Sequence, residues 1–113
     1  MPRNDSIEMG ELTDSAYYIL LSLVDAKHGY VVMQTIEEMT DNRLSIGPAS
    51  MYTIIKKLLA ADLIKQVGDK DKKRKTYVAT EKGLELLKKE VERRREMVRH
   101  AEKILHQKER EIN

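Results

Sequence analysis

The sequence predicts a mainly α-helical fold with a small β-hairpin, in which one small domain is followed by a long C-terminal helix. Three observations predict this arrangement. Gly47-Pro48 starts an amphipathic helix, because proline is favoured at the first helical position. Two strand-like segments flank a charged run directly after that helix. An apolar heptad repeat then occupies the last third of the chain, as in a helix that packs against another helix.

The composition limits the class of protein. The 113 residues, of which 41% are apolar and 35% charged, suffice for one small domain plus a long helix. The aromatic residues are five tyrosines, with no phenylalanine and no tryptophan, so the core must be aliphatic and rich in methionine. Cysteine is absent, which excludes disulfides and thiolate metal sites and fits a cytoplasmic protein. The longest apolar run, residues 17–24, is too short to span a membrane, and no signal-peptide pattern opens the chain.

Charge is distributed unevenly along the chain, although the net charge is only +2. Residues 1–46 carry three basic and eight acidic side chains, whereas residues 47–80 carry eight basic and three acidic ones. Such a local excess of positive charge is typical of a surface that binds a polyanion, rather than of a generally adhesive protein.

The first part of the chain predicts a flexible tail, two helices and a short strand. Residues 1–11 are polar and form the predicted tail. A first helix, capped by Thr13, is predicted over residues 14–26, and its wide apolar surface indicates burial on more than one side. A second amphipathic helix is predicted over residues 30–42. Residues 43–46 then alternate in hydrophobicity, which is typical of a very short strand.

The third predicted helix runs from Gly47-Pro48 to about Asp62 and has two different faces. Small residues, hydroxyls and lysines lie opposite an apolar stripe made of Met51, Ile54, Ile55 and Leu58. Such a polar face can enter a DNA major groove, whereas an ordinary amphipathic surface helix is the alternative interpretation. Two helices joined by a short connection predict a helix-turn-helix, and the strand in that connection predicts its winged variety.

A charged β-hairpin is predicted directly after the third helix, with strands at residues 63–67 and 76–80. Between them, residues 68–75 carry five basic and two acidic side chains and are too charged to pack against a core. A solvated loop is one interpretation of this tip. Its position after the third helix favours another, in which the tip lies along DNA phosphates or enters the minor groove.

Thr80 is suited to cap a final helix, which is predicted over residues 81–107. At 1.5 Å per residue it would be roughly 40 Å long, which exceeds the domain before it. Its heptad seam therefore predicts a second copy of the chain as partner, whereas folding back on its own domain is the alternative. The seam, which Arg94 interrupts, consists of Leu84, Leu87, Val91, Val98, Ala101 and Leu105. Residues 12–80 thus form the predicted winged-helix domain and residues 81–113 the predicted dimerisation helix.

The order and spacing of several short motifs resemble the PadR family of bacterial and archaeal transcriptional regulators. These motifs are His28-Gly29-Tyr30, the helix start at residues 47–52, and residues 77–83 after the hairpin. The resemblance covers roughly residues 12–105. It implies a winged-helix domain with a C-terminal dimerisation helix, which binds double-stranded DNA at palindromic operators as a homodimeric repressor.

The resemblance also implies which side chains contact the DNA. Those expected to face the groove are Ser50, Tyr52 and Thr53, with Lys56 and Lys57 on phosphates and with Lys72, Lys73, Arg74 and Lys75 in the wing. Tyr30, at the start of the second helix, would either donate a hydrogen bond to a phosphate or pack in the core. Tyr77 is expected to pack in the hairpin, and His28 to shape the turn before the second helix.

The sequence departs from short family members that bind flat aromatic drugs between aromatic side chains at the dimer interface. Its final helix has no aromatic residue, and Arg94 stands about where such a ring would be, so drug sensing of that type is not expected. A small-molecule effector of another kind stays open, because Met33, Met39 and Met97 suit an adaptable lining; packing in the core is the alternative. Ala79 also departs from the family pattern and reduces core volume.

No pattern in the sequence is typical of an enzyme, and we expect neither a cofactor nor a metal. The chain has no glycine-rich phosphate loop and no nucleophile elbow. His100 and His106 are six residues apart and so do not share a helix face on which to bind a metal. A protein-interaction module built on a winged helix is the alternative function, but it leaves the basic hairpin tip unexplained.

Overall fold

The computed structural model describes residues 10–68 and 75–112 and confirms the winged helix-turn-helix fold with a long C-terminal helix. Its strands form one antiparallel sheet in the order β1-β3-β2. Most of the predicted tail, residues 1–11, and most of the hairpin tip lie outside the described residues. In chain order the elements are α1 (Asp14–Ser22), β1 (Lys27–His28), α2 (Gly29–Met39), α3 (Pro48–Ala60), β2 (Ile64–Val67), β3 (Thr76–Ala79) and α4 (Glu81–Ile112).

Helix α1 begins where the sequence predicts but ends earlier. The Thr13 hydroxyl accepts a hydrogen bond from the Ala16 N–H at 3.1 Å, which confirms the predicted cap. The helix ends at Ser22 rather than near Ala26, because the chain turns there toward the sheet. Lys27 Nζ stabilises this turn by donating a hydrogen bond to the Ser22 carbonyl oxygen at 2.7 Å.

The predicted strand at residues 43–46 is wrong. The backbone leaves α2 through two left-handed residues, Asp41 and Asn42, with φ angles of 52° and 63°. The segment that follows pairs with no strand in the described chain, and its alternating apolar side chains turn toward the core instead. The third strand of the sheet is β1, which pairs with β3 and brings His28 Nδ1 within 3.0 Å of Thr76 Oγ1.

The core is aliphatic, as the composition predicts, and lies between α1, α2, α3 and the sheet. The predicted richness in methionine is wrong, because Met51 is the one methionine buried in the described core. Tyr77 is buried in it, which confirms the predicted packing in the hairpin. Since each fully buried aliphatic side chain contributes about 1.5–3 kcal/mol, this cluster holds α2 and α3 firmly against each other. Its members are Leu12, Ala16, Ile19, Leu20, Leu23, Val32, Ile36, Ile46, Met51, Ile55, Leu58, Leu63, Ile64, Tyr77 and Leu87.

Helix α4 has a buried beginning and an exposed end. Leu87 packs in the core of its own domain, and Leu84 and Val91 are half-buried. From residue 95 to residue 112, in contrast, every side chain is exposed. The helix has 32 residues and is therefore about 48 Å long. The second half of the predicted seam is thus left uncovered by the described part of its own chain, and the helix continues beyond residue 107, where its end was predicted, to Ile112.

One buried carboxylate connects α4 to the segment before α1. Glu90 is 1% exposed and accepts a hydrogen bond from the Leu12 N–H at 3.0 Å. It also accepts two hydrogen bonds from the Arg93 guanidinium, at 2.7 and 2.8 Å. Those from Arg93 lower the pKa of Glu90 more than its burial raises it, so that the carboxylate is ionised in the folded protein.

Arg94, four residues after Glu90, makes a second connection from α4 to the beginning of the domain. Its Nη2 donates to the Leu12 carbonyl oxygen and its Nη1 to the Asp14 carboxylate, both at 2.9 Å. The guanidinium lies 4.2 Å from the centroid of the Tyr17 ring, which is close enough for a cation–π contact. The residue that interrupts the predicted seam therefore has partners within its own chain. We call this cluster the Glu90 clasp; it consists of Leu12, Asp14, Tyr17, Glu90, Arg93 and Arg94.

The start of α4 lies against the residue before β2 with no room for a side chain. The Thr80 hydroxyl accepts a hydrogen bond from the Gly83 N–H at 3.1 Å, which confirms the predicted cap. The Thr80 N–H in turn donates to the Leu63 carbonyl oxygen at 3.0 Å. A Cβ atom on Gly83 would overlap that same carbonyl oxygen and would lie 3.3 Å from the Leu20 side chain. Glycine therefore permits the close approach of helix and backbone.

We expect Gly83→Ala to lower the free energy of unfolding by about 2–3 kcal/mol, because the added methyl group meets backbone that cannot swing aside. Urea denaturation at a fixed protein concentration measures this loss. Gly47→Ala is the matched control, since no heavy atom lies within 4 Å of a Cβ built there. An equal loss in both variants would show that close packing at Gly83 is unimportant.

Candidate nucleic-acid interface

Helix α3 separates a buried face from an exposed one. It begins at Pro48, directly after Gly47, as the sequence predicts. Its inward stripe of Met51, Ile55 and Leu58 is buried in the core. The side chains of α3 that were predicted to contact DNA all lie on the exposed side: Ser50, Tyr52, Thr53, Lys56 and Lys57. The helix therefore presents hydroxyl groups, a phenol and two lysines to the solvent on a rigid support.

A cavity of about 700 Å³ lies beside this exposed face of α3. Its walls come from the beginning of α2, the middle of α3 and the sheet, and they bring three tyrosines and two lysines together. The aromatic rings supply flat apolar surface, and the ammonium groups supply positive charge, which together suit a sugar-phosphate backbone. The lining residues are His28, Gly29, Tyr30, Tyr52, Ile55, Lys56, Leu59, Gln66, Lys75 and Tyr77.

The position of the Tyr52 ring depends on the absence of a side chain at Gly29. A Cβ atom built on Gly29 would lie 2.7 Å from Tyr52 Oη and 3.0 Å from its Cε1 atom. Tyr52 is nevertheless 43% exposed, so the ring lies across the start of α2 with one side open to solvent. Burial raises the pKa of the neighbouring Tyr77, and the proximity of Tyr52 raises it further.

Tyr30 and His28 precede this contact in the chain and have different roles. Tyr30 is 58% exposed, and its hydroxyl accepts a long hydrogen bond from Gln34 Nε2 at 3.5 Å. The alternative that placed Tyr30 in the core is therefore wrong. His28 lies in β1, where its ring is in contact with the hydroxyl of Thr76. It thus aligns β1 with β3 at the point where α2 begins.

The wing is the hairpin formed by β2 and β3. Lys75 is exposed directly before β3 and lines the cavity together with Lys56 of α3. The base of the wing and the third helix therefore share one surface. The other predicted wing contacts, Lys72, Lys73 and Arg74, lie outside the described residues.

The sequence did not indicate that Gln66 and Gly29 contribute to this surface. Gln66 lies opposite Tyr77 in the β2–β3 register and lines the cavity. The hairpin prediction could have placed it there, because antiparallel partners face the same side of a sheet. Gly29 was noted only as part of a motif, and no local pattern indicates that its role is to make room for Tyr52.

Two features are absent from the described part of the chain. None of its helices combines the length with the apolar composition that a passage through a bilayer requires. Within residues 10–68 and 75–112, no three His, Cys, Asp or Glu side chains come together in a way that could hold a metal ion.

Comparison with known proteins identifies the family. The sequence profile of the transcriptional regulator PadR-like family matches residues 19–89. The chain belongs to this family. The match extends from the middle of α1 to the first part of α4 and so includes both the helix-turn-helix and the wing. Members of the PadR-like family are transcriptional regulators and not enzymes.

Solved structures support the same fold. A transcriptional regulator from Clostridium thermocellum is similar with a TM-score of 0.72 and 21% identity, over 91% of this chain and 97% of that chain. Bacillus subtilis PadR in complex with operator DNA is similar with a TM-score of 0.56 and 23% identity, over 66% of this chain and 44% of that chain.

A curated relative is similar in sequence over part of its length. It is an uncharacterized 37.1 kDa protein in a transposon of Streptomyces fradiae, 33% identical over 78 residues. These residues make up 68% of this chain but only 22% of the relative, so the PadR-like chain spans about a fifth of that protein.

We expect Gly29→Ala to move the Tyr52 ring while leaving the fold intact, because the far end of an exposed side chain can swing aside. Proton NMR of the aromatic region measures this directly, since the chain has five tyrosines and no phenylalanine or tryptophan. The ring signals of Tyr52 and Tyr77 should shift, whereas those of Tyr17 should not. Unchanged Tyr52 signals would contradict the contact. A double-mutant cycle in which Gly29→Ala lowers the free energy of unfolding equally with and without Tyr52→Ala would also contradict it.

Proposed function

We propose that this PadR-like protein is a sequence-specific DNA-binding repressor, which binds a palindromic operator as a homodimer. The observation that carries the proposal is that Tyr52, Lys56 and Lys75 share one exposed surface beside the cavity. The operator complex of Bacillus subtilis PadR, which has the same fold, supports a DNA partner. Residues 12–80 would then form the DNA-binding domain and residues 81–113 the dimerisation helix.

The exposed face of α3 suits a division of labour on DNA. Ser50 and Thr53 are small enough to let the helix approach base edges, and the Thr53 hydroxyl donates its proton to the Ala49 carbonyl at 3.0 Å. Its oxygen can therefore still accept a hydrogen bond from a base. Tyr52 lies beside them, where its phenol reaches base or phosphate. The positively charged side chains, in contrast, would neutralise phosphates. They are Lys56, Lys57, Lys72, Lys73, Arg74 and Lys75.

Tyr30 extends the proposed surface beyond the recognition helix α3. Its exposed hydroxyl lines the same cavity, at the start of α2. In a helix-turn-helix the first helix crosses the DNA backbone, so a hydroxyl at this place suits a phosphate oxygen. Because the sequence and the cavity both put Tyr30 here, we include it among the DNA-binding residues.

The proposed dimer rests on the apolar stripe that α4 leaves exposed. Val98 and Leu105 of the predicted seam are 55% and 61% exposed, and Ala101 lies between them. Leu84, Leu87 and Val91 pack on their own domain instead, so the stripe offered to a second copy begins after the Glu90 clasp. Met97, Ile104 and Ile112 widen this stripe. A long, charged helix with one uncovered apolar side is typical of a coiled-coil partner.

A small-molecule effector that releases the DNA fits the same arrangement. Met33 packs against the core, so for this residue the alternative of packing in the core is correct, whereas Met39 and Met97 are exposed in the single chain. Met97 lies on the stripe proposed to face the second copy, where its flexible thioether suits an adaptable lining. We therefore place the proposed effector between the two copies, near Met97.

Binding to the DNA upstream of its own gene tests the proposal. If the dimer neutralises about eight phosphates, log K should fall with log salt at a slope near −7. Tyr52→Ala should lower the discrimination between operator and random duplex by about tenfold or more, because it removes a contact to the bases. Lys75→Ala should weaken both duplexes alike and reduce the steepness of the slope by about 2, because the dimer loses one phosphate contact in each copy.

Lys103→Ala is the matched control for the lysine, since its side chain is exposed on α4, away from the proposed DNA surface. It should change neither the affinity nor the salt slope. Binding of the wild type no tighter than to random duplex would count against an operator-binding repressor and favour a protein-interaction module. Similar behaviour of Tyr52→Ala and Lys75→Ala would show that the proposed division between base and phosphate contacts is wrong.

Leu105→Glu tests the dimer. We expect the dimer dissociation constant to rise by about a hundredfold, because a charge on each copy would have to be buried or left unpaired in the seam. Sedimentation equilibrium measures the change, and circular dichroism should show that the helix is retained. His106→Glu, one residue further and off the stripe, should leave the association unchanged. A dimer of equal strength in both variants would exclude the proposed stripe.

A further inference from the structure

The Glu90 clasp contains the one charged side chain that is buried in the described part of the chain. Burial of a carboxylate costs desolvation energy, and here the hydrogen bonds from Arg93 offset that cost. Besides its contribution to stability, the clasp imposes a defined geometry on α4.

Glu90 and Arg94, which are one helical turn apart on α4, bind the backbone N–H and carbonyl groups of Leu12. The Leu12 N–H donates to Glu90 at 3.0 Å, and the Leu12 carbonyl accepts from Arg94 at 2.9 Å. One contact alone would allow the helix to rotate about it, whereas two contacts along the helix fix both its rotation and its tilt. The hydrogen bond of Arg94 to Asp14, at the first residue of α1, ties the same point to the domain again.

The clasp lies at the point where α4 leaves the winged-helix domain. Val91 is the last half-buried residue of the predicted seam, and from residue 95 to residue 112 every side chain is exposed. Arg93 links the two parts, because it binds the buried Glu90 carboxylate and its Nη1 lies 3.4 Å from Met97 Sδ at the start of the exposed stripe. The clasp therefore lies at the boundary between the part of α4 that packs on the domain and the part that is exposed.

We propose that the Glu90 clasp is a positioning element for operator recognition, which fixes the angle between α4 and the winged-helix domain and thereby sets the half-site spacing that the dimer prefers. The inference rests on the proposed homodimer. The helix extends about 27 Å beyond residue 94, so a tilt of about 8° displaces its end by roughly 3.5 Å. That distance is about one base pair, since half-sites of 10–10.5 base pairs are about 34–36 Å apart.

A series of palindromes with spacers lengthened or shortened by one and two base pairs tests the inference. The wild type should prefer one spacer by about tenfold over its neighbours. Glu90→Gln should reduce this preference to about threefold or less, because a neutral amide cannot hold Arg93 and Leu12 in the same way. Glu92→Gln is the matched control: the same change, two residues away, at an exposed carboxylate that pairs with Arg95. It should keep the wild-type preference.

The outcomes separate positioning from mere stability. If the clasp only stabilised the fold, Glu90→Gln would weaken binding alike at every spacer and leave the preference unchanged, which would overturn the inference. If Glu90→Gln does not fold, Arg94→Lys replaces it, because lysine keeps the charge but loses the paired contacts of the guanidinium. The same loss of preference is expected, and an unchanged preference in Arg94→Lys would likewise overturn the inference.

A measurement without DNA keeps this inference distinct from the proposed function. The chain has no cysteine, so Glu38→Cys on the exposed side of α2 provides one spin-label position per copy. The distance between the two labels should be sharply distributed in the dimer and about twice as broadly distributed in Glu90→Gln. Distance distributions of equal width in the wild type and in Glu90→Gln would refute the positioning role of the clasp, even if the protein binds an operator. A sharp distribution in the wild type with no binding to any palindrome would refute the proposed operator, and with it the role of the clasp in half-site spacing, although the clasp would still fix the angle of α4.

Discussion

The structure depends on one constraint, which is that α4 must serve two surfaces in succession. Its first turns pack so closely on the domain that Gly83 has no space for a methyl group, and Leu87 joins the core. Its last 18 residues, 95–112, are exposed along their whole length. The Glu90 clasp lies at the change from one surface to the other. If the same helix belongs to the domain and to the proposed dimer, its direction at this point would determine how two recognition helices face one duplex.

Much of the fold could be predicted because its signals are local. Thr13 and Thr80 cap the helices that follow them, and the proline after Gly47 starts α3, since each effect acts within one turn of the chain. The incorrect predictions concern segments whose structure depends on pairing with residues that are distant in the sequence. Strand β1 has only two residues, Lys27 and His28, without alternation of their own, and it exists because β3 pairs with it. Residues 43–46 show the alternation of a strand but find no partner strand among residues 10–68 and 75–112.

The candidate site was predicted to a similar extent and for the same reason. Helical periodicity alone places the side chains of Tyr52 and Lys56 on the outer face of α3. It does not reveal that the Tyr52 ring rests on Gly29, because that contact joins two helices. Arg94 shows the same limit more clearly. Within its own helix it only interrupts a seam, and its function depends on Leu12 and Asp14, which lie about 80 residues earlier.

The electrostatics of the clasp restrict how it could be regulated. The pKa of Glu90 is lowered in the folded protein, mainly by the hydrogen bonds from Arg93. A carboxyl group of this kind contributes stability that is fully present above its ordinary pKa of 4.5 and is lost only as the pH falls through the lower folded value. The clasp therefore stays ionised at every pH near neutrality and is not a pH switch there. A signal that alters the angle of α4 near neutral pH would therefore have to act otherwise than by protonating Glu90, and Met97, which lies next to Arg93, is close enough to transmit one by repacking.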